Sequence, residues 1–543
     1  MPSKEQDTVF RNINEIHAMF DAELADDMFA HRMVSAAASR RPDALEIVSA
    51  QGRLSYRELD ARANKLAQHF RAMGIGSEDV VALWMTRSPW LMVAALAALK
   101  AGAAYLPMDP ANPRHRLLFM VSDCGAKVVV TESALAECAG QARCPVLSLD
   151  RTWKEIETRE AQAPQVELRP DALAYVIYTS GSTGAPKGVC YEHGMFDAQV
   201  GLIRGTYGIE PGEVDLPLLP IFALFDPALG MTAVIPEMDP RRPAKADPAR
   251  IVRAIRQERV TNSFGSPTLW GRVAEYCRAG AIALPSLRRV LCAGAPVPDE
   301  LWRSSRSFLA AGRLHSPYGA TEALPVSTVS SDEIEAGSVR GACVGLPVPG
   351  VDVRIIPISD QPVAALTPDG CLPRGAAGEI VVRGPAVTRE YFSNPGANAA
   401  AKIPDPAGGG GVWHRMGDCG ALDDSGRLWF LGRKAERVES RDGTMFTEPC
   451  EQVFRAHPRA RRCALIGVGP EPALVAETRT RGASDARALA AELRALALGH
   501  RHTEGVRTFF FRARLPVDVR HNAKIHRLAL ARWAASARAF RTD

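Results

Sequence analysis

The stretch 178–188 combines the residue types that hold polyphosphates in proteins. Its sequence is Tyr-Thr-Ser-Gly-Ser-Thr-Gly-Ala-Pro-Lys-Gly, and it continues an apolar, strand-forming run over residues 172–178. Glycines let the backbone approach a ligand, hydroxyl and backbone N–H groups donate hydrogen bonds, and Lys187 supplies a cation. Gly188 follows the lysine, so the magnesium-binding hydroxyl of a P-loop is missing. An ordinary surface turn is the alternative interpretation.

Three further strand-like runs end in glycine, proline or polar residues. They lead into Gly265-Ser-Pro, into Gly294-Ala-Pro and into Tyr318-Gly-Ala-Thr-Glu322. In open α/β folds, ligands bind where the carboxyl ends of strands meet loops. We therefore expect these three ends to line one crevice.

The bulk composition excludes several classes of protein. A chain of 543 residues exceeds one hydrophobic core and predicts two or more domains, and its 46% hydrophobic and 23% charged residues are typical of a soluble protein. The net charge of +5 is spread along the chain, which argues against nucleic acid as a partner. The 11 cysteines lack zinc-site spacing and favour buried thiols in a reducing cytoplasm. The most apolar stretch, 90–99, is too short to span a bilayer.

Alternating strand and helix signals predict an α/β fold with parallel or mixed sheets flanked by helices. We divide the chain into a polar N-terminal extension (1–28), a large domain (29–432) that includes a small β region from residue 351, and a small α+β domain (433–543). Ser55 is a predicted helix N-cap before Leu59, Leu66 and Phe70, and Ser484 is another before a helix that ends at Leu498. A third helix is predicted over 191–207.

The order of five motifs resembles the adenylate-forming superfamily, which contains acyl-CoA synthetases, peptide-synthetase adenylation domains and luciferases. The motifs are the stretch 178–188, Tyr318-Gly-Ala-Thr-Glu322, His414-Arg-Met-Gly-Asp418, Gly432-Arg433 and Lys524. Within that superfamily, the runs 219–230, 234–240 and 516–525 are most similar to the β-lactone synthetases of bacterial olefin biosynthesis. The run 100–110 is more like a peptide-synthetase adenylation domain.

The resemblance implies that the small domain is mobile and that ATP and Mg²⁺ bind between the two domains. Residues implied to bind ATP are Thr179, Ser180, Gly181, Ser182, Thr183, Gly184, Lys187, Gly294, Ala295, Pro296, Tyr318, Gly319, Thr321, Asp418 and Arg433. Among them, Tyr318 would stack on adenine, and Asp418 and Arg433 would bind the ribose region.

Catalytic roles follow from the same resemblance. The implied catalytic residues are Lys187, Thr321, Glu322 and Lys524. Glu322 would coordinate Mg²⁺, and Thr321 would contact the α-phosphate. Lys524 would neutralise charge while the substrate carboxylate attacks that phosphate. Phe222, Asp226 and Gly265 are the predicted substrate contacts. Asp226 has two interpretations, a contact to a substrate amine or a helix N-cap before Pro227.

The acceptor of the activated acyl group decides the function. The leading hypothesis is a β-lactone synthetase, in which the 3-hydroxyl of a 3-hydroxy acid attacks its own acyl-adenylate and releases AMP. The alternative is transfer of an acyl or aminoacyl group to coenzyme A or to the thiol of a separate carrier protein. Two departures from acyl-CoA synthetases, His521-Asn-Ala-Lys524 and Ala435, fall in the small domain and favour the internal nucleophile.

Overall fold

The computed structural model describes residues 29–179, 186–218, 224–239, 245–334, 340–405, 411–517 and 524–543. The predicted extension 1–28, the loop residues 180–184, Phe222 and the run 521–523 lie outside these ranges. The predictions made for them stay predictions.

Helices and strands alternate along most of the described chain. The helices are α1 Ala30–Arg40, α2 Tyr56–Ala72, α3 Pro89–Lys100, α4 Arg114–Asp123, α5 Ala136–Ala139, α6 Leu149–Ile156, α7 His193–Tyr207, α8 Asp226–Leu229, α9 Pro248–Gln257, α10 Pro267–Ala279, α11 Asp299–Phe308, α12 Pro395–Ala401, α13 Thr447–Arg455, α14 Ala483–Leu498 and α15 Arg527–Ala534. The strands are β1 Leu45–Ser49, β2 Gly52–Ser55, β3 Val80–Trp84, β4 Ala104–Met108, β5 Val128–Thr131, β6 Val146–Ser148, β7 Leu173–Thr179, β8 Lys187–Glu192, β9 Val214–Pro217, β10 Thr232–Val234, β11 Asn262–Gly265, β12 Arg289–Cys292, β13 Arg313–Ala320, β14 Ala323–Ser330, β15 Ala342–Pro347, β16 Asp352–Ile356, β17 Gly378–Arg383, β18 Lys402–Pro404, β19 Val412–Leu422, β20 Leu428–Arg433, β21 Val438–Ser440, β22 Gly443–Met445, β23 Cys463–Val468, β24 Glu471–Glu477, β25 Thr508–Arg512 and β26 Phe540–Arg541.

Two large sheets form the body of the molecule. One has the strand order β6-β5-β3-β4-β7-β8, and its neighbours are parallel except for the antiparallel pair β7–β8. The other runs β16-β17-β19-β20-β15-β14-β13-β12-β11-β9-β10-β1-β2, with β18 beside β19. Its segment from β1 to β13 through β10, β9, β11 and β12 is parallel, and the segment from β13 to β16 is antiparallel. This architecture confirms the predicted α/β fold with an added β region.

Burial patterns explain why these segments adopt these structures. Every residue of β3 is buried, as a strand covered on both faces requires. In α2, Leu59, Leu66 and Phe70 are fully buried at helical spacing, and Ser55 forms the predicted N-cap with a capping box to Glu58. Each such side chain contributes about 1.5–3 kcal/mol on burial.

The C-terminal residues form a smaller α+β unit. Its sheet has the order β23-β24-β25-β26, beside the hairpin β21–β22, and Leu489, Leu493 and Phe509 lie in a core of its own. The division of the chain at residue 433 stays a prediction.

Two local predictions are wrong. Residue 191 belongs to β8, and α7 begins at His193, because the chain first pairs with β7. The N-cap of α14 is Gly482, with φ +103°, so Ser484 lies inside the helix.

Among the described residues, the structure contains no helix with the length and apolarity needed to cross a membrane.

Candidate active site

The predicted phosphate loop joins the two antiparallel strands β7 and β8. Thr179 pairs with Lys187 and Tyr178 with Gly188, so residues 180–186 connect the ends of a hairpin. A Cβ at Gly188 would lie 3.0 Å from Val176 Cγ1 and 3.2 Å from Phe392 Cβ, contacts tighter than most real Cβ atoms make. Glycine is therefore required here for close packing of three chain segments, and Lys187 is held at a fixed strand end.

The three predicted strand ends lie at one edge of the large sheet. Strands β11, β12 and β13 are parallel neighbours, so their carboxyl ends point the same way. The backbone N–H of Ala293 donates to the carbonyl of Gly265 at 3.0 Å, and Gly294 has φ +94°. Gly294, Ala295 and Pro296 thus follow β12 beside the end of β11.

A carboxylate of β19, a phenol of β13 and a guanidinium of β20 lie in contact. Tyr318 Oη donates to Asp418 Oδ2 at 2.7 Å, and Arg433 Nη1 lies 2.8 Å from Asp418 Oδ1. Asp418 and Arg433 are register partners in β19 and β20, so the sheet itself brings them together. Burial raises the pKa of Asp418, and the charges of Arg433 and Lys524 act in the opposite direction. Lys524, predicted from the far end of the chain, therefore lies on the same side of the molecule as Asp418.

Thr321 and Glu322 form the turn between β13 and β14. Tyr191 Oη donates to the carbonyl of Thr321 at 2.7 Å, and Tyr391 Oη donates to Glu322 Oε1 at 2.9 Å. Gly319 precedes this turn, where a Cβ would lie 2.6 Å from the carbonyl oxygen of Ala323. The turn is therefore fixed on both sides by tyrosines that the sequence analysis did not select.

Asp226 is not the helix N-cap that one of its two interpretations predicted, and the contact to a substrate amine stays a prediction. It is the first residue of α8, whose N-cap is Phe225 and lacks a side-chain capping bond. Its side chain is 3% exposed and lines a cavity of about 20 Å³ with Asp215 and Asn262. Asn262 Nδ2 donates to Asp215 Oδ1 at 2.5 Å.

The buried carboxyl pair is electrostatically unusual. Burial raises the pKa of Asp226 well above its ordinary value, and the neighbouring Asp215 carboxylate raises it further. Burial likewise raises the pKa of Asp215 to about 7, with the Asn262 amide opposing the shift. Burial and Asp215 thus both disfavour the ionised form of Asp226 that would pair with a substrate ammonium group.

An apolar chamber lies on the other side of α8. The cavity measures about 30 Å³ and is lined by residues of α1, α2, α3, β4, α7 and α8, including Leu96, Tyr105, Phe196 and Ala228.

Gly265, the third predicted substrate contact, lies at the end of β11, where a Cβ would lie 2.8 Å from Trp270 Nε1. Glycine is therefore needed to accommodate the tryptophan.

The chain belongs to the AMP-binding enzyme family, whose profile matches residues 34–392. As an AMP-binding enzyme, it uses ATP.

Curated relatives extend the match over nearly the whole chain. An olefin β-lactone synthetase of Stenotrophomonas maltophilia (strain K279a) is 41% identical over 509 residues, covering 89% of this chain and 91% of the relative. An olefin β-lactone synthetase of Xanthomonas campestris pv. campestris is 39% identical over 539 residues, covering 92% and 96%.

Solved structures with lower identity share the fold. The amide bond synthetase of Marinactinospora thermotolerans has a TM-score of 0.76 at 24% identity, covering 93% of this chain and 99% of its own. The O-succinylbenzoate coenzyme A synthetase of Bacillus subtilis, solved with ATP and a magnesium ion, has a TM-score of 0.74 at 22% identity, covering 92% and 98%.

Proposed function

We propose that this chain is an ATP-dependent β-lactone synthetase that acts on a 3-hydroxy acid. The observation that carries the assignment is the similarity to two β-lactone synthetases over about nine tenths of the chain. The geometry supports the first half-reaction, since the charge of Lys524 acts on Asp418, which the sheet pairs with Arg433.

The first half-reaction forms an acyl-adenylate. Tyr318, Gly294, Ala295 and the Asp418–Arg433 pair would hold adenosine, while Thr179, Lys187 and the loop 180–184 would hold the phosphates. The substrate carboxylate attacks the α-phosphorus, the bond to the bridging oxygen breaks, and pyrophosphate leaves. Lys524 offsets the negative charge that builds up on the phosphate oxygens.

Mg²⁺ fits the residues at the β13–β14 turn. Glu322 is a half-buried carboxylate, the kind of oxygen ligand that Mg²⁺ prefers, and it is held in place by Tyr391. When bound, the ion would neutralise phosphate charge. We assign Glu322 as its protein ligand and Thr321 as the contact to the α-phosphate.

The second half-reaction closes the ring. The 3-hydroxyl oxygen attacks the carbonyl carbon of the acyl-adenylate, loses its proton, and displaces AMP, so that the acid loses one water overall. The enzyme must hold the hydroxyl near the carbonyl and exclude water. Phe222 and Gly265 are proposed to contact the acyl group. For Asp226, we propose a polar wall of the acyl site, where burial and Asp215 both raise the pKa of its carboxyl group well above the ordinary value.

The proposal also covers the localisation of the protein and its partners. All eleven cysteines are free thiols, which supports a cytoplasmic protein. Any transfer to a thiol would need coenzyme A or a separate carrier protein as partner.

The test separates an internal from an external nucleophile. The protein is incubated with ATP, Mg²⁺ and a 3-hydroxy acid without any thiol, and the products are identified by mass spectrometry. We expect one molecule of AMP to be released for each molecule of acid that is converted into a product lighter by one water. The matched acid without the 3-hydroxyl should give pyrophosphate exchange but no lactone. Strict dependence of AMP release on coenzyme A would overturn the assignment.

A further inference from the structure

The segment 387–392 connects the two large sheets at the candidate phosphate site. On one side, the backbone N–H of Thr388 donates to the carbonyl of Glu322 at 2.9 Å, and Val387 forms a bridge with Ala323. On the other side, the N–H of Phe392 donates to the carbonyl of Gly188 at 2.7 Å. Tyr391 forms a second bridge with Val189. One short segment thus ties the strand that carries Lys187 to the turn that carries Glu322.

The side chain of Tyr391 contacts both of these charged residues. Its hydroxyl donates to Glu322 Oε1 at 2.9 Å, and its ring centroid lies 5.4 Å from Lys187 Nζ. The residue is 5% exposed, so both contacts are made in a poorly solvated place where they are stronger than in water. The phenol therefore gives the carboxylate a donor and gives the ammonium group an aromatic face.

A buried lysine, Lys402, contacts both the ring of Tyr391 and the residue Thr388 of the same segment. Lys402 is 6% exposed, and its Nζ lies 5.5 Å from the centroid of the Tyr391 ring. It donates to the backbone carbonyl of Thr388 and, at 3.0 Å, to the Thr388 hydroxyl. That hydroxyl in turn donates to the carbonyl of Glu322 at 3.2 Å. The segment is therefore fixed by side-chain bonds as well as by its backbone.

We propose that Tyr391 is a positioning residue that sets the separation and orientation of Glu322 and Lys187 for binding of the magnesium–triphosphate complex. The inference rests on the proposed function. Glu322 and Lys187 carry opposite charges and sit on different sheets, yet they must reach the same phosphate group from two sides. Tyr391 gives each of the two side chains its own partner. The carboxylate and the ammonium group are therefore kept apart, in the positions and orientations needed for binding, before the nucleotide binds.

The test measures nucleotide binding rather than turnover. ATP affinity of the purified protein is titrated by calorimetry at increasing Mg²⁺ concentrations and in excess EDTA, with no acid present. Tyr391→Phe removes the hydroxyl and keeps the ring, so we expect the Mg²⁺ concentration for half-maximal tightening to rise about tenfold, the range for a lost hydrogen bond to a charged group. Affinity in EDTA should stay unchanged. Tyr391→Leu also removes the ring and should weaken ATP binding in EDTA as well.

Controls separate positioning from a loss of packing. Tyr207 is a buried tyrosine whose hydroxyl donates to Thr328 Oγ1 at 3.2 Å, outside the site, and Tyr207→Phe should leave the Mg²⁺ dependence unchanged. Glu322→Gln should remove most of the Mg²⁺ dependence. In that background, Tyr391→Phe should add little, because the hydroxyl acts through the carboxylate.

The outcomes distinguish this inference from the proposed function. An unchanged Mg²⁺ dependence in Tyr391→Phe, or effects of Tyr391→Phe and Glu322→Gln that simply add, would overturn the positioning role. Failure of the wild-type protein to make lactone, with its Mg²⁺-dependent ATP binding intact, would refute the acceptor chemistry and leave the role of Tyr391 standing.

Discussion

Lys524 reaches the candidate site from the last twenty residues of the chain. Its positive charge acts on Asp418, the buried partner of Tyr318 and Arg433. We expect Lys524→Ala to lower the rate of pyrophosphate release by roughly 10²–10³, the typical effect of removing one group that stabilises transition-state charge. ATP binding should persist, since the adenosine contacts lie on other residues. Wild-type pyrophosphate release in this variant would refute the assigned role.

At the level of single residues, the sequence predicts positions next to a motif better than positions far from one. Lys187, Tyr318, Thr321 and Glu322 each belong to a motif that follows a strand-like run. In the structure, Lys187 begins β8, Tyr318 lies within β13 near its carboxyl end, and Thr321 and Glu322 follow that strand. Tyr391 could not be selected in this way. Its contact with Glu322 spans 69 residues along the chain, and only the pairing of two sheets creates it.

For Asp226 too, the sequence did not predict the electrostatic environment of the side chain. Its position before Pro227 suggested either a contact to a substrate amine or a helix N-cap. The register of β9 and β11 places Asp215 opposite Asn262, and the cavity joins them to Asp226. The raised pKa of Asp226 depends on this three-dimensional neighbourhood, which the spacing of residues along the chain does not indicate.

Among the elements, helices α1 and α7 are joined by a hydrogen bond to the carboxyl group of Asp197. The backbone N–H of Ala30 donates to Asp197 Oδ1 at 2.6 Å, and burial raises the pKa of Asp197 to about 8. The charge of Arg32 acts on Asp197, and the rings of His31 and His193 contact each other edge-on with their centroids 5.8 Å apart. Burial lowers the pKa of His193 to about 4 and holds that of His31 well below its ordinary value, which disfavours the charged form of both histidines.

Asp197 predicts a pH dependence of stability. The folded state keeps its proton to about pH 8, whereas an unfolded carboxyl loses it near pH 4, so this contribution to stability is present at low pH and is lost as the pH rises to 8. The amide introduced by Asp197→Asn cannot titrate, but its oxygen can still accept the hydrogen bond from Ala30. We expect the melting temperature of the variant to rise relative to wild type between pH 5 and pH 8, measured by calorimetry. A difference that stays constant with pH would contradict the shifted pKa.

Element boundaries were predicted where side-chain patterns mark them and missed where pairing decides them. The capping box at Ser55 is local, and the helix begins there as predicted. The strand 187–192 is imposed by its antiparallel partner β7, and so the start of α7 was placed two residues early. At α14, a glycine in an unusual backbone conformation provides the N-cap, where a hydroxyl two residues later was expected.

For the whole molecule, the parallel half of the fold follows from the sequence more directly than the antiparallel half. Strands such as β3 are continuous apolar runs, and the helices between them are amphipathic or buried. The order in which the β-region strands join the large sheet is not encoded locally. Strand β15 pairs with β20, more than eighty residues later, and β20 pairs in turn with β19, which brings Arg433 beside Asp418.

The C-terminal part packs closely against the end of β20 at Gly432. A Cβ at this position, where φ is +133°, would lie 2.2 Å from Thr447 Oγ1 and 3.3 Å from the Thr447 backbone nitrogen. Thr447 is the first residue of α13 and is buried. The same helix reaches across to Gly341, whose carbonyl accepts from Gln452 Nε2 at 3.0 Å. Close contact of α13 with the end of β20 therefore requires glycine at 432.

Gly432→Ala should displace α13 and, with it, the part of the chain that carries Lys524. We expect the rate of pyrophosphate release to fall at least about tenfold, because misplacing a catalytic group by about 1 Å can cost far more than tenfold. Gly443→Ala is the matched control, since Gly443 has a similar φ of +121° and an added Cβ would meet nothing within 4 Å. Gly432→Ala should also have little effect in a Lys524→Ala background, because it acts through that lysine. Equal losses in the two glycine variants would indicate backbone strain alone and contradict a docking role for Gly432.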